Sequence, residues 1–418
     1  MQISSNKSRD IEGPSEESLG GRLEKVEQAL EDQAEESKDD FRVYWKDSLR
    51  FETADKQFKL RMGGRSHNDW VWIDQGEDMR FLFDTEDGTE FRRARLYLSG
   101  EVYEDIIFKF QYDFADGDAD FKDVYVGMKN LPVLGAVKIG QFKEPFSLEE
   151  LTSSNDITFM ERALPNVFAP SRNTGVMAQN TAFDDRLNWA IGVFRDVDDY
   201  GDGAADGGYN VTARLTGLTW HQDDGKKLLH LGVGYSLRNP DANWRYRQRP
   251  ETHLSPRYVD TGAFYADDID LWNAEAAFVY GPFSLQGEYM ASEVDYGLGG
   301  DADYDGYYVQ ASYVLTGEHR PYDTASAAFM SPKVKNRLSL TNGERGWGAW
   351  EAAVRYSAID LDDGNFFRGG EEDNITLGLN WYLNNCTRVM FNYIQSDIEH
   401  DLYDGDVDTF QTRFQFKF

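Results

Sequence analysis

From Phe58 onward the chain alternates apolar or aromatic residues with polar ones, the two-residue period of a strand and not the 3.6-residue period of a helix. Ile106, Phe108, Phe110, Tyr112 and Phe114 share one face, and Ile107, Lys109, Gln111 and Asp113 share the other. Phe410, Phe414, Phe416 and Phe418 oppose Gln411, Arg413, Gln415 and Lys417 in the same way. The pattern predicts about sixteen strands, beginning near 58–73, 90–100 and 102–114 and ending at 387–397 and 408–418. Most have about the ten residues with which a tilted strand crosses a bilayer.

The connections alternate in length. They are tight at Gly100–Glu101, Phe183–Asp185 and Gly281–Pro282, and long at 143–174, 239–269 and 398–407. That alternation predicts an all-β fold, a transmembrane antiparallel β-barrel, because closure pairs every backbone group that lipid cannot satisfy. A soluble β-sandwich or lectin-like protein shares the strand period but does not require the alternation. The segment 317–346 breaks the pattern, being about thirty residues on the short-turn side; it is either a real excursion or a slip in the strand count. Trp70, Trp72, Tyr97, Tyr103, Tyr112, Trp189, Tyr289, Trp347 and Trp381 near strand ends fit interfacial aromatic belts.

Residues 1–40 read differently, as a flexible acidic tail before a barrel of 41–418. Leu19, Leu23, Val26 and Leu30 form one helical seam, which predicts a short coiled coil able to assist trimer assembly, or an amphipathic helix that frays when alone. No apolar run is long enough for a spanning helix. Met1 to Glu17 contains no apolar export-signal core, so an export signal is not visible in this chain.

Charge changes the picture next. The chain of 418 residues has 43 Lys+Arg against 74 Asp+Glu, a net charge of −31 that argues against nucleic acid as a partner. The single cysteine, Cys386, excludes a disulfide framework. Thirty of the acids lie in six predicted outer loops that hold only two bases, Arg80 and Arg368. On the strands, alternation sends Lys59, Arg61, Arg65, Arg93, Arg95, Lys109, Lys138, Arg355 and Arg413 to the lumen, against fewer acids such as Asp113, Asp123, Glu288 and Glu351. A basic wall selects anions because ammonium and guanidinium groups replace part of the ion's hydration shell. Asp301, Asp303 and Asp305 match the first half of a calcium loop, but the twelfth position is Ser312 and not Glu, which makes the match weak. Diffuse binding of divalent cations that bridge to lipopolysaccharide is the other reading of the acidic loops. The chain has no nucleophile elbow, metalloprotease helix or phosphate-cradling loop, so no enzyme and no cofactor beyond calcium on those loops is expected.

Several segments carry a family resemblance. Arg92-Arg-Ala-Arg-Leu-Tyr-Leu-Ser-Gly100, Gly140-Gln-Phe-Lys-Glu-Pro-Phe-Ser-Leu-Glu149, Thr158-Phe-Met-Glu-Arg-Ala-Leu164, Gly281-Pro-Phe-Ser-Leu-Gln-Gly-Glu-Tyr289 and Gly378-Leu-Asn-Trp-Tyr-Leu383, in this order, resemble the phosphate-selective porin O and P family. The resemblance implies a homotrimer of sixteen-stranded barrels in a bacterial outer membrane, with a long third loop folded into each pore. Residues 143–174 sit where that loop belongs and offer Lys143, Arg162 and Arg172 beside Glu144, Glu149, Glu150, Asp156 and Glu161. The cluster Arg245, Arg247, Arg249 and Arg257 with His253 resembles a family segment between strands nine and ten; it reads either as steering anions or binding lipid phosphates, or as a solvated loop balanced by nearby acids. The implied function is passive diffusion of small hydrophilic solutes, anions with phosphate among them. A structural or partner-binding barrel with little conductance is the alternative.

Overall fold

The computed structural model describes residues 21, 23–28, 41–83, 85–203, 208–240, 243–296, 300–340, 346–363 and 368–418. Residues 23–28 are helical, but Leu19 and Leu30, and with them most of the expected coiled coil and acidic tail, lie outside the described residues. Sixteen antiparallel strands follow: β1 (Phe58–Gln75), β2 (Gly88–Val102), β3 (Ile106–Asp113), β4 (Asp120–Leu131), β5 (Gly135–Lys143), β6 (Arg172–Ala182), β7 (Leu187–Arg195), β8 (Asn210–Gln222), β9 (Lys227–Arg238), β10 (Asp268–Tyr280), β11 (Phe283–Asp295), β12 (Asp301–Val314), β13 (Ala349–Asp362), β14 (Arg368–Tyr382), β15 (Thr387–His400) and β16 (Tyr403–Lys417). Each pairs with its sequence neighbour, and β16 returns to β1 in the register Lys417↔Arg65 to Val407↔Gln75, which closes the barrel. A hairpin of 41–45 and 49–53 extends the wall beneath the seam, where Leu49 pairs with Met62 and Trp45 stacks on Phe418 at 6.4 Å.

The outer surface carries the apolar half of the alternation, with Leu231, Val233, Ile375, Leu377, Phe410 and Phe414 exposed. Trp70, Trp72 and Tyr289 stand in an outward aromatic belt, in which Tyr356 and Tyr393 donate to Asp373 and Asp408 on the next strand, both at 2.8 Å. Tyr97 does not belong to the belt: it shares the lumen face of β2 with Arg95 and lines the open interior.

Two readings of the connections need correction. The expected loop 398–407 is mostly strand, because Ile398 and Val407 continue the inward alternation and only Asp401 and Leu402 make the turn. Asp301, Asp303 and Asp305 likewise lie in β12, spaced two apart on its outer face, and an extended strand cannot wrap its carboxylates around one ion as a calcium loop does. Among the described residues no group of three or more His, Cys, Asp or Glu could hold a metal ion.

The segment after β12 is a real excursion, and the strand count stands. It forms a small ladder, Tyr322–Asp323 with Ala328–Phe329, and turns back inside the barrel. There Asn188 and Arg214 donate to the main-chain oxygens of Ala325 and Ala327 at 2.9 and 3.0 Å. The lumen is therefore filled from both ends, by this segment and by the long loops after β5 and β9.

Candidate conduction path

The loop after β5 crosses the lumen and leans on the β9–β16 wall. A one-turn helix, α1 (Leu148–Leu151), begins at Ser147, whose hydroxyl accepts from the Glu150 amide at 3.1 Å. Wall glycines make room for the loop: a Cβ on Gly378 would stand 2.9 Å from the Phe159 ring, and one on Gly306 would stand 3.1 Å from Pro165.

Every acid that clouded the expectation of a basic loop is held by a base. Glu144 meets Arg238 at 2.7 Å, Glu149 meets Arg355 at 3.2 Å, and Asp156 meets Lys417 at 2.8 Å. Glu150 lies between Lys143 and Arg162 at 3.0 and 3.1 Å, and Glu161 between Arg92 and Arg413 at 3.0 and 2.7 Å. Burial raises the cost of charge on Glu150, yet Arg162 and Lys143 hold its carboxyl down to about 2. Burial opposes the charge on Glu161 too, and Arg92, Arg93 and Arg413 keep that carboxyl well below the usual range. The loop's main chain is tied as well, with Arg388 and Asn380 donating to the carbonyls of Ile157 and Thr158 at 2.9 Å.

With the loop drawn to one side, the open space runs along β1–β8. A cavity of about 660 Å³ and a second of about 270 Å³ meet at Lys109 and Tyr125, which line both. Together they are lined by nine bases, including Arg61, Arg65, Lys138, Lys143, Lys333 and Lys417, against the three acids Asp47, Asp123 and Asp156, so the path is electropositive. Arg65 Nη1 donates to Ser154 and Ser153 Oγ at 2.7 and 3.3 Å, which stands it between the wall and the loop. Among the described residues its Nε, the Gln111 amide nitrogen and Arg93 Nε are buried without a hydrogen-bond partner, spare donors on β1–β3.

The expected site residues thus divide by role. Arg61, Arg65, Lys109, Lys138 and Lys143 line the cavities. Arg95 and Arg172 stand just behind them on Asp113 and Asp123, at 2.6 and 2.7 Å. Arg162, Arg355 and Arg413 face inward but serve the loop's carboxylates, and Arg355 is also paired with Glu251 from the loop after β9. Arg93 lies buried 3.6 Å from Glu161. Lys59 sits at the short-turn rim on Glu101, at 2.8 Å. Sequence reasoning put Gln111 on the inward face without a role, and passed over Ser153 and Ser154, which carry no periodic signal, and Ala325 and Ser326, which only the returning segment brings to the smaller cavity.

The model of the family described as phosphate-selective porin O and P matches residues 60–418. Porin O of Pseudomonas aeruginosa is 29% identical over 423 aligned positions covering 91% of this chain and 93% of the relative. An uncharacterised protein of Caulobacter vibrioides is 29% identical over 84% of this chain and 71% of its own length. Among solved structures, an anion-selective porin from Comamonas acidovorans superposes with a TM-score of 0.56 at 15% identity, covering 86% of this chain and all of that one. The trimer form of OmpT from Vibrio cholerae superposes at 0.54 with 12% identity, covering 86% of this chain and 99% of that one. Since the family's model spans the entire closed barrel, from β1 to the terminal Phe418, the chain belongs to the phosphate-selective porin O and P family and is an outer-membrane porin, a passive channel for small hydrophilic solutes.

Proposed function

We propose that the channel prefers small oxoanions, phosphate among them, and carries them along the β1–β8 side of the lumen. The observation that supports this most directly is the imbalance of nine bases against three acids on the open path. Of the loop's own acids, Glu144, Glu149 and Glu161 pair with bases that do not line the path, and Glu150 and Asp156 take up Lys143 and Lys417 on it, which still leaves the lining bases in excess. Ammonium, guanidinium and spare amide donors offer an oxoanion replacement for its water without enclosing it, which a conducting site requires. Arg247, Arg249 and Arg257 on the loop after β9 add positive charge toward the outer mouth, where Arg245 is paired with Asp260.

Three such barrels assemble as a homotrimer through the outer face of β3–β6, where Phe110, Val126, Met128, Ile139 and Val176 make an apolar surface. The outward acids of the taller strands, Asp301 and Asp303 among them, meet lipopolysaccharide through divalent cations. The deciding measurement for selectivity is the reversal potential of purified protein in a planar bilayer under a KCl gradient, repeated with phosphate added. The expected result is a potential near that of chloride, with phosphate blocking chloride current. A potential on the potassium side overturns anion preference, and chloride current indifferent to phosphate overturns the phosphate part alone.

A further inference from the structure

Where the inner wall is apolar, chain from inside the lumen covers it at two places. Leu271, Met290 and Ile359 of β10–β13 pack under Phe168 and Tyr246 of the long loops, and Leu228 and Val279 of β9–β10 pack with Leu148 of the loop after β5 and Phe329 of the returning segment. The patch on β5–β7 is different. Phe142, Met177, Ala190 and Phe194 cluster with Tyr125 of β4, and all five belong to the wall itself. Phe142 packs edge to face on Phe194 at 5.6 Å and on Tyr125 at 5.8 Å. Gly175 and Gly192 leave room for the Phe194 ring, since a Cβ on either would stand 2.5 Å from it. Phe142, Met177, Ala190 and Tyr125 all border the cavity of about 270 Å³.

Charge is distributed unevenly around this cavity. Lys109 is paired with Asp123, Lys143 meets Glu150 at 3.0 Å, and Arg214 meets Glu275 at 2.6 Å. Lys138 has no carboxylate among the described residues: its Nζ donates to Gln179 Oε1 at 3.2 Å and stands 5.4 Å from the centre of the Tyr125 ring. In the β5–β6 register Lys138 lies directly across from Met177, so the ammonium sits at the edge of the uncovered patch. An ammonium drawn out of water without a counter-charge is disfavoured, and apolar surface left in water is disfavoured too. One ligand relieves both, an anion of single charge that carries a compact apolar body. An inorganic oxoanion takes up the ammonium and leaves the patch wet. The volume is near the lower end of the roughly 300–1,000 Å³ usual for small-molecule sites.

We infer that this cavity is a binding station for small organic monocarboxylates, whose carboxylate meets Lys138 Nζ and whose aromatic or short aliphatic body lies on Tyr125, Phe142, Met177 and Ala190. The inference rests on the anion preference proposed above and extends it from inorganic oxoanions to organic acids. The test uses the full chain in a planar bilayer in KCl at pH 7, with acetate, butanoate, hexanoate and benzoate as the probes. The expected result is block of chloride current that strengthens about two- to fourfold per methylene from acetate to hexanoate, with benzoate at least tenfold stronger than acetate. Lys138→Gln weakens block by benzoate and hexanoate about tenfold. Met177→Gln, which keeps the side chain's length, brings benzoate down toward acetate and leaves acetate's block unchanged. If neither variant assembles, the chain-length series on the native protein carries the test. Block independent of chain length, or benzoate block in Lys138→Gln equal to the native protein's, overturns the inference, and a chloride-side potential with phosphate block then leaves the anion preference standing. A potassium-side potential overturns both.

Discussion

The carboxylate of Glu288, on β11, accepts the main-chain amide of Glu149 at 2.7 Å, so a glutamate of the wall holds the backbone of a glutamate of the constricting loop. Its second oxygen takes the Leu148 amide at 2.9 Å, and the two bonds satisfy orphan donors at the start of α1. The charge on the wall is thereby used for positioning, and the repulsion expected between two glutamates is offset because Glu149 turns its own carboxylate to Arg355.

Glu288→Ala therefore frees the loop. Two buried amides lose their acceptor, at roughly 1–3 kcal/mol each, so the barrel unfolds at lower temperature and the unit conductance becomes larger and noisier. Single-channel recording beside thermal unfolding on gels checks this, and unchanged conductance would mean that the remaining ion pairs hold the loop alone.

Arg65 supplies charge and a spare donor where the wall faces Ser153 and Ser154. Arg65→Gln keeps much of the side chain's bulk and removes the charge. Phosphate then blocks chloride current about tenfold more weakly, about 1.4 kcal/mol, with the oligomer intact on gels. Block equal to the native protein's removes Arg65 from the anion's path.

The loop's attachment has a defined acid limit. Glu150 titrates at about 2 when folded and near 4.5 ordinarily, so it binds protons more weakly folded than unfolded. Its stabilisation is complete above about pH 4.5 and is lost as pH falls toward 2. Unit conductance is accordingly steady from pH 7 to 4.5 and changes between 4.5 and 2, whereas Glu150→Gln shows its altered conductance already at pH 7. Recordings across that range decide the matter.

The returning segment after β12 places Ala325 at the smaller cavity. In a Cys386→Ser background, Ala325→Cys should react with charged methanethiosulfonates and lose conductance, the anionic reagent reacting faster than the cationic one because the path is electropositive. Full current after exhaustive labelling would put Ala325 off the path.

Much of this was legible in the sequence, for a physical reason. Lipid outside and water or polar protein inside force a strict two-residue alternation, so Phe110 and Lys109, or Phe414 and Arg413, announce their sides from sequence alone, and sixteen such segments imply closure. Alternation is local, however, and says only that Arg65, Arg355 and Arg413 all point inward. Which of them meets a passing ion depends on where the loop after β5 lies, and that was decided by pairings more than a hundred residues apart, such as Arg413 with Glu161 and Arg355 with Glu149. The acids of that loop read as a threat to anion selectivity until those pairings neutralised them. The segment 317–346 showed only an anomalous length, because nothing periodic marks a chain that folds back into a lumen. The sequence by itself thus determined the barrel and the sign of its inner wall, since both follow from the solvent on each face; the tertiary structure alone decided which bases remain free, since that depends on which carboxylates come within ion-pair distance.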